Sequence, residues 1–307
     1  MTQITASLVK ELREKTGAGM MDCKKALTEV EGDLETAVDW LRKSGLAAAA
    51  KKANRIAAEG LVAVNTVGKS GAAIEVNAET DFVARNSEFK LFVSKIADIA
   101  LKKNGDRNEI LDAIFVDKVP VKEALNNLIA TIGENITIRR AATVSVNSGA
   151  VCSYVHNEIE QGLGRIGVLV ALESDGDEKL LQQHGKQLAM HIAAAAPRWL
   201  SVNDVDETEL VRERSVLTEQ ARDSGKPEEI IGKMVEGRLR KFYEETVLME
   251  QTYVIDGETK ISDVVVQAGK EIGSNIILKG FVRYVIGEGI EKEEDDFVAE
   301  VVAATQT

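Results

Sequence analysis

Proline and histidine each occur only 3 times in this 307-residue chain, cysteine twice, and aromatic residues make up 4%. So little proline argues against a low-complexity or mostly disordered polymer. Two cysteines, Cys23 and Cys152, do not make a disulfide framework; they read as small buried or neutral residues of a reducing compartment. No apolar run approaches the ~18 residues of a membrane span, so no membrane association is expected. The first residues, Met1–Lys15, read as an amphipathic helix with neither an apolar signal core nor an Arg-rich transit stretch. A cytoplasmic location is expected. Positive charge is in deficit: Lys and Arg total 38 against 50 Asp and Glu, a net of −12. That disfavours broad, non-specific binding to phosphate backbones but leaves room for a local basic patch.

Catalytic motifs are missing as well. His156, His184 and His191 show no HExxH spacing, and without Cys or carboxylate ligands nearby His184 and His191 are expected to pack or hydrogen-bond. There is no GxSxG elbow. Gly68-Lys69-Ser70 resembles the end of a phosphate-binding loop, but Ala63 stands where that loop needs glycine, so a hairpin turn is expected. Gly162, Gly164 and Gly167 fit GxGxxG, yet they lead into the strand-like run Ile166–Leu172 and not into a helix, so they read as a turn entering a strand. No set of metal-ligand, cofactor-binding or acid/base residues emerges. The weight moves from an enzyme to a binding or regulatory protein.

What is present is a hydrophobic fraction of 44%, enough for a sizeable core, over a length suited to two or three domains. Residues 1–45 read as three short helices. Thr5 or Ser7 caps the first; Met20, Met21, Cys23 and Leu27 mark the second; Asp33 caps the third. Residues 46–58, Ala-rich with Lys51, Lys52 and Arg55, read as a helical connector. This end is slightly basic while the remainder is acidic.

An internal repeat occupies the middle. Ala72–Asp81 parallels Ile166–Asp175, both strand-like and both ending in Glu-(Thr/Ser)-Asp, at an offset of 94. Each run follows another strand and precedes a helix. A second pair, Val121–Ile136 and Ile261–Ile276, matches at an offset of 140. The extra residues of the second copy lie mostly between Pro197 and Tyr253. There Leu210, Leu217 and Ala221 make one apolar stripe, Ser224–Pro227 a turn, and Ile231, Val235, Leu239 and Phe242 a return stripe. Narrow seams point to a protruding coiled coil; two helices lying flat on the core are the alternative. A last short helix is expected around Phe297–Val302.

The copies differ after the strand. Glu79-Thr80-Asp81 runs into Phe82-Val83-Ala84-Arg85, whereas Glu173-Ser174-Asp175 runs into Gly176-Asp177. The first copy thus has the longer loop, with a large aromatic beside an aspartate. Phe82 either tucks into its own core, where burial is worth roughly 1.5–3 kcal/mol, or enters a groove on another protein.

Two long motifs, Leu12–Leu27 (LREKTGAGMMDCKKAL) and Glu75–Arg85 (EVNAETDFVAR), resemble the elongation factor Ts family. Its members are nucleotide exchange factors of the GTPase elongation factor Tu. Further similarity lies in Gly133–Ile136, Arg165–Val170, Met190–Ala194, Gly225–Pro227 and Gly287–Lys292, so it spans essentially the whole chain. The resemblance implies an α+β fold: a ubiquitin-associated-like three-helix domain, a duplicated core with antiparallel sheets, an inserted coiled coil and a C-terminal module. The corresponding segments are 1–55, 56–147, 148–197 with 258–286, 198–257 and 287–307. It implies no cofactor, no catalytic residue, and elongation factor Tu as partner, both GDP-bound and nucleotide-free. Asp81 and Phe82, flanked by Thr80 and Val83, match the segment that inserts beside the partner's nucleotide site. Arg13, Met20, Met21 and Lys24 match the N-terminal surface that meets the same GTPase domain. His156 matches a position facing another domain of the partner. Of Met20 and Met21, one is expected exposed and one buried. The competing classes are a nucleic-acid-binding accessory of translation, resting on the basic N-terminal end, and a small nucleotide-using enzyme, opposed by Ala63. The oligomeric state is not set by these residues.

Overall fold

A computed structural model of the chain describes residues 4–16, 18–223 and 227–291. The helix expected around Phe297 and the turn residues Ser224, Gly225 and Lys226 lie outside them. The chain opens with α1 (Ala6–Thr16), α2 (Met20–Glu29) and α3 (Leu34–Lys52). Thr5 accepts the Leu8 N–H at 3.3 Å and Asp33 accepts the Thr36 N–H at 2.7 Å, satisfying donors that a helix start leaves free. Leu12, Cys23, Leu27 and Ala37 close a small core between the three helices. Helix α3 does not stop by residue 45. It absorbs half of the expected connector and runs to Lys52, because its second half packs on a later helix.

β1 (Glu59–Val67) and β2 (Ser70–Ala78) form a hairpin turned by Gly68-Lys69, with Gly68 at φ +58°. Then come α4 (Ser87–Lys102), α5 (Arg107–Asp112), the short hairpin β3 (Ile114–Val116) and β4 (Val119–Pro120), α6 (Val121–Ile132) and β5 (Thr137–Ser145). The second copy follows as β6 (Ala150–His156), β7 (Leu163–Gly164), β8 (Ile166–Glu173), α7 (Glu178–Ala195), α8 (Glu207–Arg222), α9 (Glu228–Thr246), α10 (Ile261–Ile272) and β9 (Ile277–Val285). Among the described residues all ladders are antiparallel, and the two larger sheets have the orders β5-β2-β1-β7 and β6-β8-β9. The fold class is α+β.

The repeat is real, but strand pairing shifts it by two positions from the sequence match. Val76 opposes Ile138 and its counterpart Leu172 opposes Leu278; β5 and β9 bulge at equivalent places, Arg139 and Lys279. The Glu-(Thr/Ser)-Asp triplets are therefore not equivalent. Ser174 corresponds to Ala78, and all of 79–85 is loop in the first copy. Side chains, read alone, do not distinguish two registers that keep the same faces inward.

The two sheets stack face to face, with helices on both outer sides. Ala72, Ile74 and Val76 point to α4 and α6, while Ala73 between them joins Leu169 and Ala171 against the opposite sheet. Small residues set the sheet spacing: a Cβ on Gly167 would stand 2.6 Å from Val62 Cγ1, and one on Gly71 2.7 Å from Val151 Cγ1. Gly162 turns the chain and accepts the Val64 N–H at 2.9 Å, so the GxGxxG run straps β7 onto the first sheet.

Glu75 is fully buried on β2. The bulge lets consecutive residues of β5, Arg139 and Arg140, both reach its carboxylate. Asn77 and the Gly287 N–H donate to it as well, at 3.1 and 2.8 Å. The end of the second half is thereby tied into the first.

Helices α8 and α9 form a hairpin whose seam, Leu217, Ala221, Ile231, Val235 and Leu239, is a cluster of its own. The hairpin stands off the sheets and does not lie flat on them. His191 secures its base: Nε2 lies 3.0 Å from Gln251 Oε1, and the Val254 N–H donates to Nδ1 at 3.3 Å. Gln251 in turn donates to the Ala195 and Glu245 carbonyls. His184 meets Glu271 at 3.0 Å.

Candidate functional site

The segment after β2 is a loop built to hold its tip outward. Thr80 is held by Glu134: its N–H donates to Oε2 at 2.9 Å and its hydroxyl to Oε1 at 2.7 Å. Glu79 accepts the Asn135 N–H at 2.5 Å and faces Arg55 Nη1 at 3.4 Å. Beyond the tip, a 3-10 turn covers Val83–Arg85, with the Ala84 N–H donating to Asp81 O at 3.2 Å and Arg85 to Phe82 O at 3.1 Å. Asn86 then caps α4, accepting from Glu88 and Phe89 at 2.9 and 3.1 Å.

Val83 and Phe89 sink into the first-half core, while Phe82, directly before Val83, is 76% exposed. The tucked alternative is excluded. The Phe82 ring makes no aromatic contact, and the Asp81 carboxylate no hydrogen bond or ion pair, among the described residues. An aromatic and a carboxylate are thus presented side by side. Thr80 and Val83 face inward in the free chain and fix the tip between them.

The N-terminal candidates form a second surface. Both Met20, at 56%, and Met21, at 75%, are exposed, correcting the expected one-in, one-out arrangement. The reason is position: Met20 and Met21 are the first two residues of α2, ahead of its inward residues Cys23, Ala26 and Leu27, where no neighbouring helix covers them. Lys24 is exposed four residues after Met20, on the same face, and Arg13 is exposed on α1. Burial pushes the Cys23 thiol pKa up, opposed by the Thr16 hydrogen bond and the Arg13 charge, so Cys23 is core. His156 is exposed at the end of β6, its Nδ1 3.2 Å from Tyr154 Oη. No hydrogen bond or ion pair joins the three groups among the described residues.

Arg55 in the connector, and Glu134 and Asn135 in the repeat and in the family resemblance, hold the loop without having been expected as site residues. The available signal was the repeat: Glu134 is replaced by Ser274 in the second copy.

Comparison with known proteins identifies the lineage. The family model for elongation factor TS matches residues 79–288, from the loop to the end of the second half. The chain belongs to the elongation factor Ts family. It is 61% identical to elongation factor Ts of Rhodospirillum centenum over 304 residues, covering 99% of each chain. It is 59% identical to that of Rhodospirillum rubrum over 305 residues, again 99% of each, and 57% identical to that of Gluconobacter oxydans over the full length of both. The elongation factor Ts match begins at Glu79, and the near-complete relatives extend it over the N-terminal helices.

Proposed function

We propose that this protein is the guanine-nucleotide exchange factor of elongation factor Tu. It acts in the cytoplasm during translation elongation, without a cofactor, membrane or nucleic-acid partner and without catalytic residues of its own. The carrying observation is Phe82, exposed on a braced loop beside an Asp81 whose carboxylate has no partner among the described residues. In this reading the pair inserts beside the partner's nucleotide site and disturbs the magnesium and phosphate-loop contacts that hold GDP. Arg13, Met20, Met21 and Lys24 meet the GTPase domain, and His156 meets another domain. The work divides among residues 1–55, the core halves 56–147 and 148–197 with 258–286, the hairpin 198–257 and the C-terminal module 287–307.

Linkage sets the energy required. Weakening GDP ~100-fold takes a coupling of about 2.7 kcal/mol, and GDP weakens the factor's binding by the same ratio. Burying one exposed phenylalanine supplies energy of that order, about 1.5–3 kcal/mol. The loop is already held by the Thr80–Glu134 and Glu79–Asn135 hydrogen bonds, which reduces the ordering entropy lost on insertion.

The test is stopped-flow release of fluorescent GDP from elongation factor Tu. Wild-type protein accelerates release and Phe82→Ala loses most of the acceleration. Equal acceleration by both moves the energy to Asp81 or the N-terminal surface. No acceleration by folded wild type rejects the reading and turns attention to salt-dependent RNA binding.

A further inference from the structure

Only one of the two copies carries the long loop, so the other serves as an internal control. In the second copy the short loop is closed without a carboxylate: the Ser174 hydroxyl donates to Asn275 O at 2.7 Å and the Asp177 N–H to Ile272 O at 3.2 Å. In the first copy the equivalent corner, after the left-handed Gly133 that ends α6, carries Glu134 and Asn135. Glu134 takes both donors of Thr80, the residue directly before Asp81. Asn135 offers its N–H to Glu79 and its side-chain amide to Arg55 O at 2.7 Å. The carboxylate at position 134 thus accompanies the protruding loop, and Ser274 stands where there is none.

We propose that Glu134 is a positioning residue for nucleotide exchange, holding Asp81 and Phe82 outward through Thr80. Asn135 and Arg55 extend the same brace to the end of the N-terminal helices. The inference rests on the exchange reading and deepens it. Thr80 is only half-buried, and without its acceptor the two donors turn to water, leaving the tip free to sample inward positions. Contacts made by other surfaces are untouched, so the loss falls on the rate of release at saturation and not on complex formation.

The experiment measures GDP release from elongation factor Tu against concentration of the full chain, with Glu134→Ala, Glu134→Gln and Thr80→Val, each also combined with Phe82→Ala. Glu134→Ala lowers the saturating rate about tenfold, with the half-saturating concentration within about twofold of wild type. Glu134→Gln keeps most of the rate, because its oxygen accepts the Thr80 N–H and its amide donates to the hydroxyl. On the Phe82→Ala background Glu134→Ala costs much less than in wild type, since only the part of the brace that acts through Asp81 is left. A wild-type rate in Glu134→Ala overturns the proposal, as does an undiminished loss on the Phe82→Ala background, which marks general destabilisation. If Glu134→Ala does not fold, Thr80→Val decides: about threefold slower release at saturation supports the brace, and an unchanged rate refutes it. Failure of wild type itself to accelerate release rejects the exchange reading, a result distinct from all of these.

Discussion

Phe82 and Val83 are neighbours with opposite fates, and unfolding measurements separate them. Phe82 is 76% exposed, so Phe82→Ala changes stability by no more than about 0.5 kcal/mol in urea unfolding while slowing exchange. Val83 is 4% exposed within the first-half core, and Val83→Ala costs about 2 kcal/mol. Both cysteines are also core residues. Burial pushes the Cys152 thiol up to about 11 and the Cys23 thiol in the same direction. Neither reacts appreciably with a thiol reagent at pH 8 in the folded protein, and both react once denaturant is added. Rapid labelling of the native chain would contradict that placement.

At the scale of elements, the hairpin α8–α9 is held by its own seam and by the His191–Gln251 link at its base. His191 is fully buried and neutral, accepting from Val254 at Nδ1 and donating from Nε2. Burial lowers its pKa below the ordinary 6.5, only partly offset by the Gln251 bond. Below pH 6.5 the unfolded chain takes up a proton that the folded chain refuses. The stabilisation from this site is therefore complete above the unfolded pKa and is lost as pH falls toward the folded one. Between pH 7 and pH 5 the urea midpoint of wild type declines by an increment missing in His191→Gln, with a slope of at most about 1.4 kcal/mol per pH unit. Parallel declines in both proteins would remove His191 from the account.

At the scale of the molecule, two features weld the halves together: the stacked sheets and the buried Glu75. Gly167→Val forces side-chain bulk against Val62 and Val64 and costs roughly 1–3 kcal/mol by overpacking. Glu75→Ala leaves Arg139 and Arg140 without their shared carboxylate and costs about 3–5 kcal/mol. The loss changes little between low and high salt, because the carboxylate is fully buried. Thermal unfolding at two ionic strengths checks both points; a salt-sensitive loss would mean the network is solvated.

The sequence by itself determined what depends on neighbours along the chain. Asp33 specifies a helix start through its own side chain, Gly68 specifies a hairpin turn, and the stripe from Ile231 to Leu239 specifies a helical hairpin. The duplication was also legible, because both copies bury the same faces. The exact register was not: a two-residue slip keeps each side chain on its face, and only cross-strand pairing at the two bulges distinguishes the registers. The outward placement of Phe82, the exposure of both Met20 and Met21, and the grip of Glu134 on Thr80 depended on residues far apart in sequence. Tertiary structure decided them because burial and hydrogen bonding are settled by whichever groups the packed sheets and helices bring within reach.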